Sequence, residues 1–298
     1  MSSKVIKPGI YENIPFDEYL SWPCASKSFL NKMAQKSPLH AMQETKASDA
    51  MQFGTMAHCR ILEPDKFDSL YAEGPDDKRT LKSWAAWAEK LTGIKQPKRN
   101  LAEWAEWANT ALNGASLVRP YNMHAVQAIL ESAQAKKECS ALLAAKGITE
   151  VSVVWEDKET GALCKARPDK LIPSLGVCVD LKTTADASED AFNRTVSKLG
   201  YHLGAAFYLA GLRANGAEYT KFRHLVVETA APFESVVYDL DDEWLVLAEF
   251  RLKKLLKQYA ECKESGVWYG YKDEVISLSP PIYLLNQLEV DIELGGSE

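Results

Sequence analysis

The stretch from Ala166 to Thr184, ARPDKLIPSLGVCVDLKTT, puts charges where a buried chain tolerates few. Two apolar runs, ALCKARPDKLI and VCVDLKT, read as neighbouring strands joined by the turn PSLG, with Asp169 at the mouth of one and Asp180 and Lys182 near the end of the other. An unpaired charge out of water costs several kcal/mol, so a fold that buries these strands must compensate both signs. Strand side chains alternate faces, which sets Asp180 and Lys182 on one side of their strand and Arg167 and Asp169 on one side of the other. If the strands pair, Asp169 and Asp180 converge on one cation. Two carboxylates, the backbone carbonyl of Leu181 and water make a hard oxygen site suited to magnesium or manganese. Lys182 beside it could orient or deprotonate an attacking water and stabilise the charge that develops on a phosphate. A salt-bridged sheet edge explains a bare Asp-x-Lys as well; the second aspartate, on a strand of its own, favours the metal.

These strands follow a change of period along the chain. Ser26 or Ser28 can cap a helix through Phe29, Leu30 and Met33, and Ser37-Pro38 ends it or starts the next. FGTMAHCRILEP places Phe53, Met56, Ala57 and Ile61 at helical spacing, with His58 and Leu62 on one face. LKSWAAWAEKL at 81–91 and LAEWAEWANTAL at 101–112 echo each other, Trp84/Trp87 against Trp104/Trp107, across the breakers Gly93 and Pro97. They predict a helical hairpin whose tryptophans pack it onto the body; Lys95, Lys98 and Arg99 in its loop keep open a nucleic-acid surface. One long helix is expected over 123–146. Three strands with tight turns then follow from VSVVWED to VCVDLKT, and after them two helices over 188–213, strands at KFRHLVVET and ESVVYDL, a long helix at 241–265 and an acidic, loosely held tail. The expected class is α/β or α+β around a mixed sheet, in a single domain: a helical part to residue 147, a core over 148–265 and an extension over 266–298.

Composition narrows the function. Six scattered cysteines form no CxxC pair, against a structural zinc site or a disulfide framework. No run reaches the length of a membrane span and the start lacks the apolar core of a secretion signal, so a cytoplasmic protein is expected. A net charge of -6 gives no overall attraction to nucleic acid, so DNA binding would rest on a local basic surface or on bound cations.

FGTMAHCRILEP, KARPDKLI, CVDLKTT and LGYHLGAAFYLAG, in that order, resemble the exonuclease VIII (RecE-type) branch of the PD-(D/E)XK nucleases, together with lambda exonuclease and the RecB-like nuclease domains. GIYENIPFDEYL and KSPLHAM resemble the lead-in of the same branch, and the likeness runs from about residue 9 to 265. It implies a restriction-endonuclease-like core, with Asp169 and Asp180 as metal-binding carboxylates, Lys182 as the catalytic lysine and His58 as a further metal ligand, a role that spacing alone leaves open. Glu150 matches an acidic position of the family, with a solvent-facing strand cap as the alternative. Tyr208 matches a tyrosine that lies near the DNA backbone, with core packing as the alternative. Where relatives commonly carry glutamine, four residues before that tyrosine, this chain has Gly204, which implies either weakened catalysis or replacement by a neighbour, His202 or Tyr201. The resemblance implies a Mg2+- or Mn2+-dependent deoxyribonuclease that degrades one strand of duplex DNA from the 5′ end. It also implies a ring-shaped homo-oligomer, a single-strand annealing recombinase as partner and a phage or prophage setting. Lys165, Arg167 and Lys170, with Lys95, Lys98 and Arg99, are the candidate basic lining. An endonuclease, a single-strand-specific relative with an iron-sulfur cluster, or a non-catalytic DNA-binding module are the alternatives.

Overall fold

The computed structural model describes residues 6–76 and 80–295. Strand β1 (Gly9–Tyr11), helix α1 (Phe16–Ser21) and strand β2 (Ala25–Ser26) lead into α2 (Lys27–Gln35), which Ser26 caps by accepting the Phe29 N–H. A single turn, α3 (Pro38–Ala41), precedes α4 (Asp49–Leu62), and α5 (Pro64–Leu70) begins at the proline that ends α4. The parallel pair β3 (Tyr71–Glu73) and β4 (Ser116–Val118) brackets the hairpin of α6 (Leu81–Thr92) and α7 (Leu101–Ala111). In the hairpin Trp84 and Trp104 stack at 6.3 Å, both buried, and Trp87 and Trp107 meet edge to face at 6.0 Å. The tryptophans therefore pack the two helices against each other, with Leu117 of β4 beside them, rather than onto the main body as expected, and Arg99 lies over Trp104 and Trp107.

The helix expected over 123–146 is two, α8 (Pro120–Ala135) and α9 (Lys137–Ala144), broken at the extended backbone of Lys136. At 3.6 residues per turn a straight helix would carry Cys139 about 240° round from Ala133. The break turns Cys139 and Leu142 back into the cluster that holds Ile129 and Ala133.

The expected three-strand run is divided between two sheets. β5 (Ile148–Thr149), β8 (Lys170–Ile172), β9 (Val177–Thr184), β10 (Lys221–Glu228) and β11 (Ser235–Asp239) form a mixed sheet in the order β11-β10-β9-β8-β5, whereas β6 (Ser152–Glu156) and β7 (Leu163–Ala166) join β1 and β2 in the order β1-β6-β7-β2. Pro168 explains the split of the expected middle strand: it lacks an N–H and restricts Arg167, so the β6–β7 ladder ends at Ala166 and the chain restarts in the other sheet at Lys170. Glu150, with a positive φ of 53°, makes the matching crossing between β5 and β6. The two crossings touch, the Glu150 N–H donating to the Asp169 carbonyl at 3.1 Å.

Between the parallel neighbours β9 and β10 run α10 (Glu189–Leu199) and α11 (Tyr201–Ala214), the usual crossover for such a pair. Strand alternation then sorts the sheet. Val177, Val179, Leu181, Leu225 and Val227 pack in the cluster with α8 and α9, while Cys178 and Phe222 pack with α11 and the long helix α12 (Asp242–Ser265). Asp180 and Lys182 share the second face. The stretch expected as a loose tail contains a helix, α13 (Ile282–Gly295), built from good helix formers; its Ile282, Leu288 and Ile292 are exposed. Among the described residues no helix is long and apolar enough to cross a membrane.

Candidate active site

Three elements deliver charged side chains to the seam between the sheets. From β9, Asp180 and Lys182 form a buried ion pair, and the register partner of Asp180 on β10 is His224. His224 Nδ1 lies 3.0 Å from Asp180 Oδ2, but off the line of an N–H donor, and neither ring nitrogen has a hydrogen-bond partner. From the crossings come Glu150 and Asp169. Asp169 Oδ2 accepts the Leu181 N–H at 2.6 Å, which locks the β7–β8 link onto β9. From α4 comes His58, with Nδ1 3.5 Å from Asp169 Oδ2. Gly54 of α4 faces β9, where a Cβ would lie in contact with Thr183 Oγ1 at 3.4 Å.

Donor atoms of His58, Glu150 and Asp169 all lie within 4.8 Å of one another. Burial pushes the Asp169 carboxyl above its ordinary value despite His58, and Asp180 adds to the rise. Burial, then Asp169, push Glu150 up to about 7 against the pull of Arg167. These carboxylates are thus short of positive charge, and two carboxylates with one imidazole are a donor set that suits a hard divalent cation such as magnesium or manganese. Asp180 is the opposite case. Burial raises its pKa, but Lys182 and then Lys27 outweigh that and hold the carboxyl well below the usual range. Lys182 is pulled down by burial and raised overall by Asp180 and Asp169, so it keeps its proton at neutral pH.

The expected ligand set of His58, Asp169, Asp180 and the Leu181 carbonyl is only partly gathered in one cluster. His58 and Asp169 are joined by Glu150, Asp180 is engaged by Lys182, and the Leu181 carbonyl accepts from Lys182 Nζ at 3.2 Å. Tyr208 is buried, and burial drives its hydroxyl well above the ordinary tyrosine range. The Tyr201 ring sits 5.2 Å from Lys182 Nζ. His202 is not a substitute at position 204, because its ring is held by the Val196 carbonyl at 3.1 Å and faces Arg251 of α12.

Two members of the expected basic lining are structural instead. Lys165 Nζ is buried and donates to the carbonyls of Tyr19, Leu20 and Trp22, while Lys170 Nζ donates to those of Leu142 and Leu143 at the end of α9. A buried lysine with no carboxylate beside it can satisfy its charge on carbonyls left accessible where helices end. Arg167 is committed too, to Glu150 at 3.0 Å and the Ile14 carbonyl at 3.0 Å. Lys95 and Lys98 are exposed in the hairpin loop.

Two residues near the chemistry escape a reading by strand and helix period. His224 is one; its signal was a histidine alternating with Phe222 and Val226 on the apolar face of its strand. Lys27 is the other. It opens α2, and a cation at the first position of a helix opposes the macrodipole, a mismatch visible in the sequence. Burial, followed by Lys182, lowers the pKa of its ammonium.

A family model described as a PDDEXK-like domain of unknown function (DUF3799) matches residues 24–276. No curated protein matches the chain in sequence. Among solved structures, a protein from Eubacterium rectale named as a candidate exonuclease superposes with a TM-score of 0.60 at 16% identity, over 92% of this chain and 98% of that one. A phage-related exonuclease from Haemophilus somnus 129PT gives a TM-score of 0.30 at 15% identity, over 60% of this chain and 89% of that one. The first likeness shows a shared fold.

Proposed function

Because this chain belongs to the PDDEXK-like DUF3799 family, we propose that it is a divalent-metal-dependent deoxyribonuclease that removes nucleotides from the 5′ end of duplex DNA and leaves a 3′ single-stranded tail. The observation that carries the reading is the meeting of His58, Glu150 and Asp169 beside the Asp180–Lys182 pair. His58, Glu150 and Asp169 would hold magnesium or manganese, with Asp180 adjoining, and the cation would polarise the scissile phosphate and make water a better nucleophile. Lys182, protonated and fixed by Asp180 and the Leu181 carbonyl, supplies positive charge for the oxygens that gain charge as the phosphodiester breaks. In the metal-free protein Asp180 and Asp169 hold it as a fixed cation and hydrogen-bond donor. Asp169 orients the site through its bond to Leu181. A ring-shaped oligomer and a single-strand annealing partner would fit such an activity.

The test is release of label from linear duplex DNA marked separately at its 5′ and 3′ ends, with magnesium and with chelator. The reading expects loss of the 5′ label in magnesium alone, reduced by about 100-fold or more in Lys182→Ala. Release from the 3′ end, or cutting of a nicked circle, would replace this polarity by another nuclease habit. DNA bound and left intact by the native protein would sink the enzyme reading.

A further inference from the structure

Each of the charges gathered at the seam has a side chain in ion-pair contact except one, whose field reaches Asp180 without such a contact. Arg167 pairs with Glu150, Lys182 pairs with Asp180, and Asp169 faces His58. Lys27 Nζ makes no hydrogen bond and no ion pair among the described residues. It lies 5.5 Å from the Tyr201 ring centroid and 5.8 Å from that of Tyr208, with Lys182 5.2 Å from the same Tyr201 ring. The ammonium reaches this position across α11, because residue 204 has no side chain: a Cβ at Gly204 would stand 2.8 Å from Lys27 Cε, 3.1 Å from Cδ and 3.3 Å from Nζ. Glycine inside a helix is otherwise unfavourable by about 0.5–1 kcal/mol, so the gap has a use where it stands. Two lysines flank one tyrosine ring and only one of them has a carboxylate of its own. That arrangement is stable when an anion sits between them, and the anion that belongs beside Asp169, Asp180 and Lys182 is a phosphate.

We propose that Lys27 is a second phosphate-binding residue of this site, admitted by the missing side chain at Gly204, and that it grips the nucleotide phosphate from the side opposite Lys182. The proposal rests on the nuclease reading for its substrate, but not for its test. Isothermal titration calorimetry with deoxyadenosine 5′-monophosphate, in magnesium, reads phosphate binding without any cleavage. Lys27→Met keeps the length of the side chain and removes the charge; it should weaken binding about 10- to 100-fold, the value of a lost charge-assisted hydrogen bond. Lys27→Arg should recover part of the loss. Gly204→Ala keeps every charge yet places a methyl against Lys27 Cε, and should weaken binding in the same direction with no loss of Tm. Native affinity in Lys27→Met, or no nucleotide binding by the native chain at millimolar concentration, would overturn the proposal. Binding that depends on Lys27 in a protein that cleaves no DNA would leave the phosphate site standing and remove the nuclease reading instead.

Discussion

Asp169 works against the stability of the metal-free protein. Burial raises its pKa, so keeping it ionised at neutral pH costs folding free energy that a bound cation would return. Asp169→Asn retains an oxygen for the Leu181 N–H and removes the charge. It should stabilise the metal-free protein by about 0.5–2 kcal/mol while abolishing both cleavage and the rise in Tm that magnesium gives the native chain, checked by thermal denaturation with and without the ion. His202 sets a different dependence. Burial lowers its pKa, the Val196 carbonyl opposes and Arg251 adds to the fall. The unfolded chain therefore binds a proton more readily than the folded one. The stability tied to the neutral imidazole is complete above about pH 6.5 and is lost as pH falls toward the folded value, by at most about 1.4 kcal/mol per pH unit. Buried His224 is shifted the same way, so His202→Asn should reduce the slope of denaturant midpoint against pH between 5 and 7 without removing it. At this scale the sequence was readable where chemistry is local. Asp169, Asp180 and Lys182 were found because charges interrupt apolar strands. Lys27 was not, because its reach depends on a space on another helix far along the chain, at Gly204.

Elements were legible in proportion to their length. The hairpin followed from paired tryptophans, and α4 and α12 from their period. The strands β5 and β8, of two and three residues, are too short to show any period, so the allocation of strands to two sheets was missed although Pro168 marked the crossing. The hairpin also makes a separable test. Its buried Trp84, Ala88, Trp104 and Ala108 form a cluster of their own. Trp104→Ala should cost about 3–5 kcal/mol locally. Hydrogen exchange should then speed up across 81–111 and stay slow in β9 and β10.

For the whole molecule, we propose that one nuclease unit spans the chain, with its helical part, core and extension serving a single site. A net charge of -6 is compatible with that role because the cations that matter are few and placed. The extension contributes little to the core: none of the described apolar clusters includes a residue of α13. Removing residues 282–298 should therefore leave stability within about 0.5 kcal/mol of native, measured by urea denaturation. The overall class was readable from the order of helices and strands; the two-sheet arrangement was not, because it is decided by backbone turns at single residues.

Those two turns, at Glu150 and at Arg167-Pro168-Asp169, also give the protein a mechanical character. Among the described residues the two sheets share no ladder, and short links join them where the acidic groups gather. Whatever cation or phosphate settles there acts as a rivet through both plates, so loading the site should stiffen strands far from it, and the emptied enzyme should flex along this one line.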